Sequence, residues 1–391
     1  MRRRAAGMVA VATVGVLAGA CASPNGAHPG AGAPAVPPAI ALTSASTGAN
    51  PAAPVTVTAK GGELSSVQLT NTASGTVVPG TLTADHRGWR STENLGYGSS
   101  YRLDAVARAP GGALGTGTFT VRTLTPAGQA DTELTPAPEL VAGSGVGIGQ
   151  PLVVRFTHSV ADRTGVQAHL HVTSTPAQPG AWFWMDDQHV HFRPQRFWTP
   201  GTTINLDAQV YGVDLGGGTY GSADHHATYH VHDSWIAAAD GNTDQLTIYQ
   251  NGRPVNTMPI SMGKGATPTH QGTHVISDKD QSVQMDSCSF GVCGGPQAYN
   301  VTEYWAERIS NDGEFVHQNP DSVTAQGNTN VSHGCINLNQ ANAQWFFQHF
   351  GLGDVVEVTN SDGPPLPIWD TYGDWSLSWP QWLSGKAPPG T

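Results

Sequence analysis

The sequence predicts a mainly β protein of several domains, with one clear helix near its C-terminus. Its 391 residues are about two to four times the length of a typical domain. The 48 glycines and 28 prolines favour dense turns over long helices. Short segments that alternate apolar and polar residues recur along most of the chain, as strands with one buried face do.

The charge of the chain excludes one class of partner. Its formal net charge is -11, and its one run of basic side chains is residues 2–4. Nucleic acids are bound by clustered lysines and arginines that neutralise phosphates. We therefore expect no nucleic acid partner.

The N-terminus is typical of an exported protein. Three arginines precede an apolar stretch, residues 8–20, which is shorter than the ~20 residues that span a bilayer as a helix. We interpret residues 1–21 as a signal peptide. Cys21 stands where a lipobox places its acylated cysteine, although Ala18 occupies a position that usually holds Leu, Val or Ile. We expect a lipid anchor on the outer face of the plasma membrane; simple cleavage near this point is the alternative.

A linker and two similar β modules are predicted next. Residues 22–50 are rich in Pro, Gly, Ala and Ser, which is typical of a flexible tether. Short alternating segments then predict two immunoglobulin-like β-sandwiches, residues 51–137 and 138–233. The phrases at 95–105 (LGYGSSYRLDA) and 198–208 (WTPGTTINLDA) form a weak internal repeat, which supports two copies of one fold.

Histidines at the end of the second module suggest a metal site. His230 and His232 would share one face of a strand, with His225 and His226 nearby. No cluster of Cys, Asp or Glu flanks them at ligand spacing, so surface histidines are the preferred interpretation. We expect no metal and no cofactor.

The third domain, predicted at residues 234–361, is β-rich with one helix. Asn251 and Gly252 predict a hairpin turn. Asn339 is a suitable N-cap, and Gly351 would end the helix. The apolar residues at helical spacing between them are Ala341, Trp345, Phe346 and Phe350.

A tryptophan-rich segment is predicted at residues 362–391. Its tryptophans are interleaved with Pro and Gly, at Trp369, Trp375, Trp379 and Trp382. We interpret them as side chains that pack this segment onto another domain. A sugar-stacking surface is the alternative.

A cysteine with a histidine partner is the main candidate for chemistry. Cys335 ends the run Ser332-His333-Gly334-Cys335, and 17 residues separate it from His317. A thiol needs a base that takes its proton and stabilises the thiolate. His333 is close in sequence, whereas His317 comes from another strand and can face the sulfur. A buried structural cysteine is the alternative interpretation.

The remaining cysteines suggest a disulfide. If Cys21 carries lipid and Cys335 stays a thiol, Cys288 and Cys293 are left as a pair that closes a small loop. A metal-binding pair and two buried thiols are the alternatives.

These motifs resemble the L,D-transpeptidase family, whose catalytic domain is of the YkuD type. His317 and the Ser-His-Gly-Cys run are similar to the family signature. Residues 263–273 are similar to its GxxxxPTPxG segment, with His270 replacing the second proline. The resemblance covers about residues 51–386, because mycobacterial-type members combine two immunoglobulin-like modules, this catalytic domain and a Trp-rich C-terminal segment.

The resemblance implies an activity on peptidoglycan stem peptides. Cys335 would attack the carbonyl between residues three and four of a tetrapeptide stem, expel D-alanine, and pass the acyl group to a second stem, giving a 3→3 cross-link. His317 would be general base and acid, oriented by the backbone carbonyl of Gln318. Carbapenems would be covalent inhibitors, and we expect a monomer without a cofactor.

The resemblance also implies roles for the neighbouring loops. Backbone N–H groups of Gly334 and Cys335 would bind the oxyanion. Ser332, His333 and Asn337 belong to the same loop. Residues 285–299, which we call the flap, would cover the donor site with substrate-binding residues Met285, Phe290 and Tyr299. Phe290 stands where a tyrosine is common, and Asp321 stands where a close relative has tryptophan.

Two other functions stay open at this point. A cell-wall cysteine peptidase or L,D-carboxypeptidase would use the same thiol and histidine but give the acyl group to water. A non-catalytic wall-binding protein would need only the β modules and the tryptophans.

Overall fold

The structure is a computed structural model that describes residues 36–290, 293–295 and 298–386. The predicted export signal, Cys21, and residues 22–35 of the predicted linker lie outside the described residues. Within the described part of the chain, no helix has both the length and the apolar character to cross a membrane. The prediction of a mainly β protein is confirmed.

The first sandwich contains two four-stranded sheets, with strand orders β1-β2-β6-β5 and β4-β3-β7-β8. Val57, Leu69, Leu103 and Val121 lie in the apolar core between them. Its strands are β1 (Ala39–Leu42), β2 (Thr56–Lys60), β3 (Glu63–Asn71), β4 (Val77–Val78), β5 (Gly80–Leu82), β6 (Gly88–Ser91), β7 (Ser100–Arg108) and β8 (Leu114–Arg122).

One part of the predicted linker is ordered. Strand β1 lies inside residues 22–50 and pairs antiparallel with β2, for example Ala41 with Thr58. Ile40 packs against the core of the first sandwich. The linker prediction is therefore wrong for residues 39–42, because their apolar side chains and free backbone groups complete a sheet edge.

The second sandwich contains three small sheets, with orders β10-β11-β14-β13, β12-β15-β18 and β16-β17-β9. The predicted boundary between residues 137 and 138 is wrong, because residues 128–130 and 132–135 pair with strands of this sandwich. Trp198, Phe156 and Leu206 are in its core. Its elements are β9 (Gly128–Ala130), β10 (Thr132–Thr135), α1 (Pro138–Val141), β11 (Leu152–Phe156), α2 (Arg163–Gln167), β12 (Leu170–Thr175), β13 (Gly180–Trp184), β14 (His189–Pro194), β15 (Thr203–Ala208), β16 (Asp214–Gly216), β17 (Thr219–Gly221) and β18 (His225–His230).

The third domain contains a five-stranded sheet, β21-β20-β19-β27-β22, and a four-stranded sheet, β23-β24-β25-β26. Ile248, Val316, Ile336 and Phe346 share its core. Its elements are β19 (Trp235–Asp240), β20 (Gln245–Gln250), β21 (Arg253–Pro259), β22 (Gly272–Val275), β23 (Asp278–Asp286), β24 (Asn300–Arg308), β25 (Phe315–Gln318), β26 (Ile336–Leu338), α3 (Gln340–His349), β27 (Val355–Thr359) and α4 (Trp379–Ser384), with 3₁₀ turns at Ser287–Phe290, Pro320–Ser322 and Gly373–Ser376.

Helix α3 confirms the predicted helix. The side chain of its N-cap, Asn339, accepts a hydrogen bond from the backbone N–H of Asn342. The buried face differs in one position from the prediction, because Ala343 and Phe346 are buried whereas Ala341 is exposed.

The C-terminal segment packs onto the second sandwich. The indole N–H groups of Trp375 and Trp382 donate to the carbonyls of Gly149 (2.8 Å) and Ala181 (2.9 Å). The buried guanidinium of Arg193 lies 4.6 Å from each of these two indole rings. The interpretation of these tryptophans as packing side chains is confirmed, whereas Trp369 is 60% exposed.

The second sandwich also contacts the third domain directly. The backbone N–H of Gly149 donates to the carbonyl of Gly353 at 2.9 Å. A side chain on Gly147 would meet the backbone of Gly353 and Asp354 at 2.2 Å. Glycine at position 147 therefore permits a close approach of the two backbones.

Candidate active site

The candidate catalytic residues, Cys335 and His317, are positioned by neighbouring strands. Strands β25 and β26 run parallel, with His317 beside Asn337 in the register, and Cys335 immediately precedes β26. Val316 and Ile336 turn into the domain core. Because side chains alternate along a strand, His317 and Cys335 face the opposite side of the sheet.

His317 is held between the cysteine and two oxygen atoms. Its Nδ1 donates to the carbonyl of Gln318 at 2.7 Å, and Oε2 of Glu303 lies 3.6 Å from the same nitrogen. Burial lowers the pKa of His317, but the charge and hydrogen bond of the Cys335 sulfur, together with Glu303, outweigh burial and raise the pKa to about 10. The arrangement therefore favours the protonated form of His317 beside the sulfur.

Glu303 was missed by the sequence predictions. It lies on β24, where the pairing with β25 shifts between Tyr304 and Glu307, so that two residues oppose His317. This bulge moves Glu303 by one position and turns its carboxylate toward the histidine. The side chain of Asn319 also donates to Glu303, at 3.5 Å. A lone glutamate in an alternating strand carries no sequence signal for this role, because such residues usually face solvent.

The loop before Cys335 is fixed by its own hydrogen bonds. The Ser332 hydroxyl donates to the Cys335 carbonyl at 2.6 Å and accepts from the Gly334 N–H at 3.1 Å. Gly334 has a φ of +126°, and a side chain there would lie 3.3 Å from Glu314. Both the backbone conformation and the contact explain the need for glycine.

The contacts of His333 do not suit it to act as the base. Its Nε2 accepts a hydrogen bond from the Lys264 ammonium at 3.0 Å, and its ring lies 5.2 Å from that of Tyr299. Burial and the Lys264 charge lower the pKa of His333. Of the two candidate bases, His317 is thus the one with a hydrogen bond to the Cys335 sulfur.

A cavity of about 300 Å³ opens onto the cysteine. It brings together seven predicted site residues, Met285, Tyr299, His317, Ser332, His333, Cys335 and Asn337, with Asp321 at its wall. It also contains residues that the sequence did not single out, Val301, Glu303, Asn319, Ser322 and Val331. Gln318 and Gly334 take part through their backbones.

The flap borders this cavity. Cys288 and Cys293 form a disulfide, with their Cα atoms 4.2 Å apart. Burial, with the nearby Cys335 charge adding to it, raises the pKa of Tyr299 to about 12, so its phenol keeps its proton. The side chain of Phe290 lies outside the described residues.

The histidines of residues 225–232 do not form a metal cluster among the described residues. His226 pairs with Asp207 at 2.7 Å, and His232 lies 3.7 Å from Asp354. These acids lie on different elements, and each contacts its own histidine. Surface and interface pairing therefore accounts for these histidines.

Two family matches cover most of the chain. Residues 46–214 match the family described as a bacterial Ig domain, and residues 234–358 match YkuD, the L,D-transpeptidase catalytic domain. The first match spans parts of both sandwiches, and the second contains both His317 and Cys335.

Curated relatives extend this similarity along the chain. The chain is 41% identical to L,D-transpeptidase 2 of Mycobacterium tuberculosis (strain CDC 1551 / Oshkosh), over 88% of this chain and 84% of that protein. It is 33% identical to L,D-transpeptidase 5 of Mycobacterium tuberculosis (strain ATCC 25618 / H37Rv), over 87% of this chain and 74% of the relative.

A solved structure agrees with the curated relatives. It is the LD transpeptidase LdtMt1 in complex with imipenem, which is 32% identical and has a TM-score of 0.51, over 58% of this chain and 97% of that one. The resemblance found in the sequence motifs is thereby confirmed. The chain is a member of the L,D-transpeptidase family of acyltransferases.

Proposed function

We propose that this protein forms 3→3 cross-links between peptidoglycan stem peptides through an acyl-enzyme on Cys335. The observation that carries the proposal is the buried thiol of Cys335 in hydrogen-bonding contact with His317, whose Nδ1 is fixed by the Gln318 carbonyl. Thiol, imidazole and orienting carbonyl form a triad with a main-chain third member.

Acylation follows from this geometry. His317 takes the proton of the Cys335 thiol, and the thiolate attacks the carbonyl carbon between residues three and four of a tetrapeptide stem. The tetrahedral intermediate collapses, the C–N bond breaks, and D-alanine leaves with the proton that the imidazolium returns. The product is a thioester between the stem and the enzyme.

Transfer to the second stem reverses these roles. The amine of the acceptor stem attacks the thioester, and His317 takes a proton from the nitrogen as the new amide forms. The thiolate then leaves, and the enzyme returns to its starting state. Cys335 lies beneath a cavity of about 300 Å³, which limits the space beside the sulfur.

The oxyanion is best placed against the backbone N–H of Cys335. The second donor expected from the sequence, the Gly334 N–H, is already bonded to the Ser332 hydroxyl at 3.1 Å. We infer that Gly334 shapes the loop, and that Cys335 is the main donor of the pair.

Side chains of the cavity wall would position the donor stem. The amide oxygen of Asn337 is buried and has no hydrogen-bond partner among the described residues, so a stem N–H can donate to it. The protonated phenol of Tyr299 can donate to a stem carbonyl. Met285 supplies an apolar contact.

Carbapenems are the proposed covalent inhibitors. A relative whose structure aligns with 58% of this chain was solved in complex with imipenem. The strained carbonyl of a β-lactam would be attacked by the Cys335 thiolate in the same way as a stem carbonyl. Asp321, which is acidic where a close relative has tryptophan, adds a negative charge to the wall that the drug would meet.

Export, a lipid anchor at Cys21 and a monomeric state complete the proposal. Residues 2–20 support export, and the position of Cys21 supports lipidation. Metabolic labelling with a fatty acid, compared between the wild type and Cys21→Ala, tests the anchor. Label that persists in the variant contradicts it.

Product analysis tests the reaction. The wild type and Cys335→Ala are incubated with a disaccharide-tetrapeptide, and the products are separated by mass. Cross-linked dimers that require Cys335 support transpeptidation. Tripeptide alone, if it also requires Cys335, indicates a carboxypeptidase, and an unchanged substrate with an unreactive thiol indicates a wall-binding protein.

A further inference from the structure

A cluster of acidic and histidine side chains lies beside the nucleophile loop, and none of its residues lines the cavity. His270 Nδ1 lies 3.0 Å from Oε1 of Glu314 and 3.7 Å from Oδ2 of Asp312. One ligand atom from each of these residues can be chosen so that all three lie within 4.8 Å of one another. His270 is also the residue that replaces the second proline of the PTP segment.

A fourth side chain, Asp370 from the C-terminal segment, points to a ligand at this cluster. Asp370 is fully buried, and its carboxyl group contacts that of Asp312. The carboxyl group also contacts the Ser310 hydroxyl, and Oδ1 accepts from the backbone N–H of Asn311, but Oδ2 has no partner in hydrogen-bonding geometry among the described residues. A buried carboxylate oxygen without a partner is costly, and a second carboxylate beside it adds repulsion.

We propose that His270, Asp312 and Glu314, with Asp370 beside Asp312, bind a divalent transition-metal cation, with Zn²⁺ the best-fitting probe. An imidazole with carboxylates is a donor set suited to Zn²⁺ or Mn²⁺. The ligand atoms of a tetrahedral Zn²⁺ ion are about 3.4 Å apart, because each bond is roughly 2.1 Å long. Since the ligand atoms of this cluster lie within 4.8 Å of one another, side-chain movements of about 1 Å would close the site.

The surroundings of the cluster suit a metal site in two further respects. Nε2 of the buried His274 lies 3.3 Å from Oε2 of Glu314, so a second histidine orients the ligating carboxylate. Metal binding at His270 releases the proton that Nδ1 now shares with Glu314, which leaves the imidazole neutral as a ligand must be.

A bound cation would tie three parts of the chain together at the back of the active site. Glu314 contacts the position where Gly334 would carry a side chain, and the Thr269 hydroxyl donates to the Gly334 carbonyl at 2.7 Å. Asp370 belongs to the segment that packs onto the second sandwich. The Cys335 sulfur donates to the carbonyl of Gly313, between Asp312 and Glu314, at 3.5 Å, so the cluster adjoins the thiol without including it.

Calorimetric titration tests the site. Cys335→Ala protein, chosen so that the thiol cannot bind the probe, is freed of metal with a chelator and titrated with ZnCl₂. We expect one equivalent to bind and to raise the thermal unfolding midpoint. Asp312→Asn, at a partly exposed position, and His270→Gln should each weaken binding at least tenfold, with circular dichroism reporting on their fold.

The matched control is His226→Gln. It removes a histidine that pairs with Asp207 on the second sandwich, and it should leave the affinity unchanged. The proposal is overturned if the Cys335→Ala parent does not bind Zn²⁺, or if the Asp312 and His270 variants bind it as tightly as the parent. Either result would mean that hydrogen bonds alone hold the cluster together.

Discussion

At the scale of single residues, the environment of His317 is the feature that most affects reactivity. Its Nδ1 donates to the Gln318 carbonyl at 2.7 Å, and the Glu303 carboxylate lies 3.6 Å from the same nitrogen as an ion-pair partner. A carbonyl fixes the tautomer, whereas a carboxylate also stabilises the charged ring. Glu303 therefore adds an electrostatic component to the triad.

Glu303→Gln is expected to slow acylation and to change its pH dependence. The raised pKa of His317, about 10, keeps the imidazolium present through neutral pH, and its contribution is lost as the pH rises through that value. Removing the carboxylate lowers this pKa, so the alkaline decline of the acylation rate should move to lower pH. One pKa unit corresponds to about a tenfold change in the protonation equilibrium.

Stopped-flow acylation by a carbapenem between pH 6 and 11 measures this effect. Asp321→Asn is the control, because Asp321 lines the same cavity without an ion pair to His317 among the described residues. An identical pH profile for Glu303→Gln and the wild type would show that Glu303 has only a structural role.

At the scale of elements, the flap is constrained by its disulfide. The bridge between Cys288 and Cys293 closes a loop of six residues, which reduces the entropy of the open flap by an amount worth roughly 2 kcal/mol. Met285 lies in β23 and Tyr299 immediately precedes β24, and both line the cavity. We therefore propose that the bridge preorganises this wall of the cavity for the donor stem.

The double variant Cys288→Ser, Cys293→Ser is expected to raise the KM for the donor stem several-fold with a smaller change in kcat. The catalytic pair lies on β25 and before β26, so its geometry does not depend on the bridge. Steady-state kinetics with a disaccharide-tetrapeptide measures both constants. A KM equal to that of the wild type would remove the preorganising role.

The docking of the C-terminal segment depends on its buried tryptophans. Trp382 is fully buried against Phe183, with ring centroids 4.8 Å apart, whereas Trp369 is 60% exposed. Trp382→Ala should cost about 3–5 kcal/mol of local stability. Limited proteolysis of the segment should accelerate at least a hundredfold, since every 1.4 kcal/mol is about a factor of ten.

Trp369→Ala provides the comparison for this variant, and its cleavage rate should stay near that of the wild type. Equal rates for the two variants would mean that Trp382 does not hold the segment. The sugar-stacking alternative retains support only at the exposed Trp369, because the rings of Trp375 and Trp382 pack against the Arg193 guanidinium.

The sequence predicted elements with local signals and missed those that depend on distant pairing. Asn339 and the apolar spacing after it identified α3, and the Ser-His-Gly-Cys run identified the nucleophile loop. Strand β1 was missed because four residues in a Pro- and Ala-rich stretch become a strand only beside β2. Glu303 was missed because a bulge, which no local pattern reveals, turns it toward His317.

At the scale of the whole molecule, the two sandwiches have different relations to the catalytic domain. The second one packs on it through Gly147, Gly353 and the tryptophan segment, and Val355 of β27 belongs to the core of that sandwich. The first sandwich contacts the second through hydrogen bonds such as Tyr97 to the Gly221 carbonyl at 2.7 Å. We therefore infer that the first is a separable spacer and that the second is part of the catalytic unit.

Two shortened chains test this difference. A chain of residues 128–391 should keep the acylation rate of the parent, because β9 and every contact of the second sandwich with the catalytic domain remain. A chain of residues 234–391 should aggregate or lose thermal stability, because the contact face of Val355 and the indoles would be exposed to water. Equal stability of the two chains would contradict the assignment of the second sandwich to the catalytic unit.

Mapping the residue that carries the acyl group tests the acyl-enzyme mechanism most directly. The wild type, His317→Asn and Cys335→Ala are incubated with a tetrapeptide-stem donor in the absence of an acceptor, quenched in acid, digested and mapped by mass spectrometry. The acyl-enzyme mechanism predicts a thioester on Cys335 with the mass of the stem without its D-alanine. This thioester should form far more slowly in His317→Asn and be absent in Cys335→Ala. An adduct on another residue, or full turnover by Cys335→Ala, would contradict this mechanism.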